Sequence, residues 1–207
     1  MMRIGIDFDN TIVSYDALFH RVALERNLIP PELPQTKLSV RDHLRRASKE
    51  DAWTEIQGYV YGARMDDAVA YPGAIDFLAW AKAERRDLAI VSHRTRRPFL
   101  GHPYDLHDAA RKWVNKFLID RPQPLISGAE TYFELTKKEK LARITGLDLD
   151  VFIDDLPEIL LADGFPGRTA RVLFDPDGTY PANDQLPAFA SWDQIKRHIR
   201  DTWKTRD

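Results

Sequence analysis

Two carboxylates one residue apart, Asp7 and Asp9, stand at the end of the apolar run Met2–Ile6, with Phe8 between them and Asn10-Thr11 behind. The run reads as a short buried strand, and positions i and i+2 of a continuing strand share a face. At the strand's end they occupy the place where open α/β sheets bind their ligands. Two like charges buried together are costly unless something positive neutralises them. The neutraliser that carboxylate oxygens favour is a hard cation such as Mg²⁺. One carboxylate can then attack an electrophile while the other moves protons. The same residue types also suit a plain turn, so the rest of the chain has to decide between the two.

A second apolar run, Val151–Ile153, ends in the adjacent carboxylates Asp154 and Asp155. Consecutive strand side chains point oppositely, so in ideal geometry one ligates a cation directly and the other through water. Ser92 closes a further apolar run and precedes His93-Arg94-Thr95-Arg96-Arg97. A hydroxyl there, with the N–H groups of the turn, can donate to phosphoryl oxygens. The arginines, Arg94 first among them, can hold an anion or simply be solvated. His93 is open between acid, base, substrate contact and spectator. Lys137 and Lys138 fall in the first turn of a helix, where a cation opposes the macrodipole. That placement hints that one lysine serves a nearby anion, with Lys140 as a third candidate.

The elements that must position these groups alternate. Short apolar runs at Arg3–Phe8, Leu88–Ser92, Pro124–Ser127, Val151–Asp154 and Ala170–Phe174 read as strands, Pro124 demoting the third towards an edge. Helical spacing marks Ala74–Glu84 and Leu106–Phe117 between them. Capping boxes at Thr136-x-x-Glu139 and Ser191-x-x-Gln194 open two more helices. The pattern predicts an α/β fold, a parallel sheet covered by helices on both faces. Residues 14–70 break the alternation. Asp16–Leu28 reads as a helix ended by the prolines at 30, 31 and 34, and Val40–Gly62 as one or two more. This is a small helical insertion suited to a lid, leaving 1–13 and 71–207 as the core domain. Its Tyr59, Tyr61 and Arg64 read first as packing and surface residues, and only second as a substrate clamp.

With 207 residues, 43% hydrophobic and 30% charged, the chain suits one core domain with an insertion. A net charge of −2 implies no bulk attraction to nucleic acid or to an anionic membrane. The absence of cysteine excludes thiolate chemistry and disulfides. No apolar run approaches the ~20 residues of a membrane span, and the acidic start is unlike a signal peptide. The expectation is a cytoplasmic protein. Nothing in the sequence speaks to its oligomeric state.

Taken in order, Asp7-Phe8-Asp9-Asn10-Thr11, Ser92, a lysine best matched by Lys137, and Asp154-Asp155 resemble the four motifs of the haloacid dehalogenase (HAD) superfamily. The resemblance covers Met2 to about Phe174. It implies a HAD-like Rossmannoid three-layer fold, with a small helical cap of the nucleotidase-like kind inserted after the first strand. It further implies that Asp7 is the nucleophile forming an aspartyl-phosphate and that Asp9 is the acid and base. Thr11 and Ser92 would hold phosphoryl oxygens, and Lys137 would neutralise charge. His93, Arg94 and Lys138 are the expected substrate contacts. Mg²⁺ would be held by Asp7, the Asp9 carbonyl, Asp154 and Asp155. Asp9 is absent from the superfamily's carbon–halogen hydrolases, so the resemblance favours a Mg²⁺-dependent phosphatase of a small phosphorylated metabolite, such as a nucleotide or a sugar phosphate. A phosphatase of nucleic-acid ends and a non-catalytic module on the same fold are the alternatives. The acidic balance speaks against the first, and the complete set of carboxylates against the second.

Overall fold

A computed structural model describes residues 1–120, 123–181 and 185–203. Residues 204–207, the end of a charged tail, lie outside the described residues. In chain order the first elements are β1 (Arg3–Ile6), β2 (Val13–Ser14), α1 (Asp16–Glu25), α2 (Lys37–Arg46), α3 (Glu50–Tyr61), β3 (Val69–Ala70), α4 (Ala74–Ala83) and β4 (Asp87–His93). There follow α5 (Leu106–Phe117), β5 (Ile119–Asp120), β6 (Gln123–Pro124), β7 (Thr131–Glu134), α6 (Lys137–Gly146), β8 (Val151–Asp154), α7 (Pro157–Leu160), β9 (Ala170–Phe174), β10 (Ala188–Phe189) and α8 (Trp192–Thr202).

Contacts divide the chain into two compact units. The first contains Met1–Ile12, Ala70–His93 and Leu118–Asp207. Its centre is a six-stranded sheet in the order β10-β9-β8-β1-β4-β7, parallel throughout. From β1 the chain crosses to β4 and β7 on one side, then returns to β8 on the other. The strand order therefore reverses at the β1–β8 pair, the point at which open parallel sheets open a crevice for ligands. Successive residues of β9 serve opposite faces. Leu173 joins a core with Ile144 of α6 and Ile159 of α7, while the Phe174 ring lies 5.6 Å from that of Trp192 on α8. Helices thus cover both sides of the sheet, completing the three-layer α/β fold. Among the described residues no helix is long and apolar enough to cross a membrane.

The third expected strand is displaced. Pro124 ends the second arm of a small antiparallel pair, β5 with β6, and the sheet strand is Thr131–Glu134 instead. Proline cannot donate to a ladder. Thr-Tyr-Phe-Glu, by contrast, alternates buried and half-buried positions as a strand does.

The second unit contains Val13–Val69 and Arg94–Phe117. To the segment read from the sequence as the cap it adds the loop after Arg94 and α5. Gly58 on α3 and Gly62, the residue that follows this helix, explain how that loop fits. An added Cβ would stand 2.6 Å from Pro98 at Gly58 and 2.5 Å from Tyr104 at Gly62. Trp113 of α5 donates its indole N–H to the Ala68 carbonyl at 3.0 Å. Arg64 is spent inside this unit, bonded to Glu25 at 2.6 Å and to Asp67 at 2.5 Å.

Candidate active site

The carboxylates meet at the carboxyl ends of β1 and β8. Asp7 donates its backbone N–H to the Ile153 carbonyl at 2.8 Å, so the β1–β8 ladder extends to the first acidic residue. Phe8 points the other way, fully buried and edge-on to Phe133 at 5.4 Å, and anchors the strand end. Asn10 then takes a left-handed conformation (φ 58°), which asparagine tolerates better than most residues. The turn that results brings Ile12 N–H to the Phe8 carbonyl at 3.1 Å and buries Thr11. The Trp192 indole N–H braces this turn from behind, donating to the Thr11 carbonyl at 3.2 Å.

Carboxylate oxygens of Asp7, Asp154 and Asp155 lie within 4.8 Å of one another. Asp7 and Asp154 are buried. The Thr11 hydroxyl stands 3.5 Å from Asp7 Oδ2 and 3.3 Å from Asp155 Oδ1. With one proton it donates to one of them at a time, tying the first acidic strand end to the second. Asp154 Oδ1 accepts from the Leu156 N–H at 3.0 Å. The Asp9 carboxylate is not one of the clustered three.

The lysine among them is Lys140. Its Nζ, fully buried, lies 2.6 Å from Asp7 Oδ1 and 2.6 Å from Asp154 Oδ2. Lys137 instead pairs with Glu158 of α7 at 2.8 Å, both side chains about half exposed, and Lys138 is exposed. The difference is axial. The three residues from 137 to 140 advance a helix by about 4.5 Å. Lys137, the first residue of α6, therefore sits at the rim, and Lys140 one turn deeper, where the buried face of the helix begins. The readable signal was that Lys140 shares this face with Ile144, four residues on.

Charge explains the electrostatics. Burial alone would lower the Lys140 pKa, but the Asp154 and Asp7 carboxylates more than offset it and hold the ammonium charged. Burial pushes the Asp154 carboxyl up to about 7, with Lys140 pulling it down and the Asp7 charge pushing it up again. With its carboxylates deprotonated the cluster sets three negative charges against one ammonium, an excess that a divalent cation would balance. The donors are hard oxygens, so the cluster fits one.

The remaining expected residues are divided. Ser92 is buried near the end of β4, opposite Phe133 of β7. His93, the last residue of β4, is half-buried, and burial, followed by the nearby Lys140 charge, holds its imidazole below the ordinary histidine range. Arg94 belongs to the second unit. There its guanidinium lies 5.3 Å from the centre of the Tyr61 ring and its carbonyl is 2.9 Å from His107 Nε2. Arg96 pairs with Asp105 and Arg97 donates to the Pro103 carbonyl, so both are engaged within their own loop.

No protein-family model matches the sequence, and no curated protein matches it. Solved structures do. A HAD family hydrolase from Deinococcus radiodurans R1, determined with bound phosphate and sodium, is 14% identical with a TM-score of 0.59, covering 96% of this chain and 95% of its own. A predicted phosphoglycolate phosphatase from Haemophilus somnus 129PT is 21% identical (TM-score 0.55; 96% and 98% covered). A β-phosphoglucomutase from Pyrococcus sp. strain ST 04 is 11% identical (TM-score 0.56; 97% and 98% covered). At these identities the likeness is one of fold.

Proposed function

We propose that this chain, which has the fold of the HAD-superfamily hydrolases, is a Mg²⁺-dependent phosphomonoesterase acting on a small phosphorylated metabolite. The observation that carries the reading is the buried Asp7–Lys140–Asp154 arrangement beside Asp155, at the switch point of the sheet. It joins a nucleophile to a cluster that, with its carboxylates deprotonated, lacks two positive charges.

In this reading Asp7 attacks phosphorus through a carboxylate oxygen. The bond from phosphorus to the ester oxygen breaks, and Asp9 gives its proton to the departing oxygen. Asp9 then takes a proton from the water that attacks the same phosphorus, which frees inorganic phosphate and restores Asp7. Lys140 pairs with Asp7 and holds it in place, the role expected from the resemblance for Lys137. Thr11 orders the Asp7 and Asp155 carboxylates, and Ser92 supplies a hydroxyl to the phosphoryl group. The residues that would hold Mg²⁺ are Asp7, Asp154, Asp155 and the Asp9 carbonyl, and the cation would offset phosphoryl charge there. Asp9 also separates this reading from carbon–halogen hydrolysis, which needs no proton for the leaving group.

Phosphate release from nucleotides, sugar phosphates and an aryl phosphate, with Mg²⁺ and with EDTA, tests the proposal in wild type and Asp7→Asn. Release that needs the metal and disappears in the variant is expected. Release that persists in Asp7→Asn would overturn the nucleophile assignment, and halide release from a haloacid without metal would overturn the reaction class.

A further inference from the structure

Two residues of the sheet unit, His93 and Tyr180, belong to strand ends that flank those of β1 and β8. His93 ends β4, the strand next to β1, and its buried Nδ1 has no hydrogen-bond partner. Tyr180 follows β9, the strand next to β8. It is 42% exposed, and among the described residues its hydroxyl makes no hydrogen bond and its ring no aromatic contact.

The loop that carries Tyr180 is nonetheless fixed. Asp175, only 5% exposed, accepts from Thr179 N–H and Thr179 Oγ1 at 3.0 Å and from Tyr180 N–H at 2.9 Å. Gly178 (φ 63°) permits the turn. A buried carboxylate thus fixes the backbone from which the Tyr180 side chain projects.

The sheet register sets where the strands that lead to the two residues end. Asp154 pairs with Leu173, so β9 ends one residue beyond the level of Asp154 and its loop leaves from the same edge. Neighbouring strands are about 4.8 Å apart, and the β4 and β9 backbones are therefore about 14 Å apart with β1 and β8 between them. The charges that act on the two side chains agree with this bracket. Burial, then the charges of Glu158, Asp155 and Asp175, pushes the Tyr180 phenol up. His93 feels Lys140, Asp7, Lys137 and Asp9.

We infer that His93 and Tyr180 form the two sides of a leaving-group subsite, and that the substrate is a phosphate ester of a sugar ring, whether a free sugar phosphate or a nucleotide. The apolar face of the ring packs on the tyrosine. A ring hydroxyl meets the imidazole, which in its neutral form offers one donor and one acceptor. A short ringless leaving group satisfies neither. The substrate class rests on the phosphatase reading; the subsite itself does not.

The test compares wild type, Tyr180→Ala, Tyr180→Phe and His93→Ala on ribose phosphate, a nucleoside monophosphate and ringless glycerol phosphate. The ratio of kcat/KM for ring over ringless ester should fall about tenfold in Tyr180→Ala and His93→Ala, the scale of one lost pocket contact, and be retained in Tyr180→Phe. A ratio cancels any general loss from misfolding. The ribose phosphate and nucleotide arms identify which ring ester is preferred. A ratio within about twofold of wild type in both alanine variants overturns the subsite. The same comparison is made by equilibrium binding in Asp7→Asn, with ribose phosphate against inorganic phosphate. Ring-selective binding in Asp7→Asn, with no phosphate release by wild type from any ester, upholds the subsite and overturns the phosphatase. Turnover without ring selectivity does the reverse.

Discussion

One residue, Lys140, carries most of the electrostatic weight of the candidate site. Its ammonium is the counter-charge to two buried carboxylates, and removing one partner of a buried ion pair leaves the other uncompensated. Lys140→Met should therefore cost about 3–5 kcal/mol of stability in metal-free protein at neutral pH. Lys137→Met breaks only a half-exposed pair with Glu158 and should cost at most about 1 kcal/mol. Urea midpoints of the two variants read the difference; a costlier loss at Lys137 would contradict the geometry. The sequence made both lysines visible but not their depth. Helix phase puts positions 137, 140 and 144 on one face, and only the distance along α6 tells the rim from the interior. The carboxylates were easier to read, because an apolar strand that ends in acid declares its own buried end.

At the scale of elements, the site depends on how closely β1 is packed between its neighbours. Gly5 pairs with Ala89 on one side and with Phe152 on the other. A Cβ built on it would stand 2.3 Å from Leu149 Cδ1 and 2.6 Å from Phe152 Cδ2. Its φ is ordinary, so the constraint is space. Gly5→Ala must move those side chains or the strand, an overpacking that should cost about 1–3 kcal/mol. Because Asp7 lies two residues on, the variant should also lose phosphate release by more than its unfolded fraction explains. Full specific activity in the folded fraction would show that the strand had not moved. Elements of this kind were legible where local chemistry dictates them. Both expected caps hold: the Thr136 hydroxyl accepts from Glu139 N–H, and Ser191 from Gln194 N–H. Leu106–Phe117, Val151–Asp154 and Ala170–Phe174 begin and end where periodicity put them. The sheet edge was not legible. Leu125 and Ile126 are buried as an apolar run should be, yet the ladder beside β4 forms at Thr131–Glu134. Burial and pairing are separate requirements, and hydrophobicity reports only the first.

At the scale of the whole chain, the cluster is made by folding and by nothing shorter. Asp7 and Asp154 are brought together across most of the sequence by the return of the chain from β7 to β8. The sequence offered the strands and the right-handed rule for joining them; the strand order that makes β1 and β8 neighbours is a property of the packed sheet. A cation that binds only this assembled cluster must stabilise the fold, by about 2.7 kcal/mol at one hundred times its dissociation constant. The size of that gain should depend on pH. The Asp154 carboxyl is raised to about 7 by burial. Its contribution to the metal-free fold is thus fully present below the ordinary aspartate range and is lost as pH rises through about 7. A bound cation replaces the proton, so the stabilisation by Mg²⁺ should be larger at about pH 8 than at about pH 6. His93 runs the other way, its lowered pKa making the fold less stable as pH falls below the ordinary histidine range. Repeating the comparison in His93→Ala separates that effect from the Asp154 one. Thermal unfolding in Mg²⁺ and in EDTA at the two pH values measures the gain, with Asp155→Ala expected to diminish the Mg²⁺ shift and Lys137→Met to retain it. An equal shift at both pH values would remove Asp154 from the cation site, and no shift at either would remove the cation from the proposal.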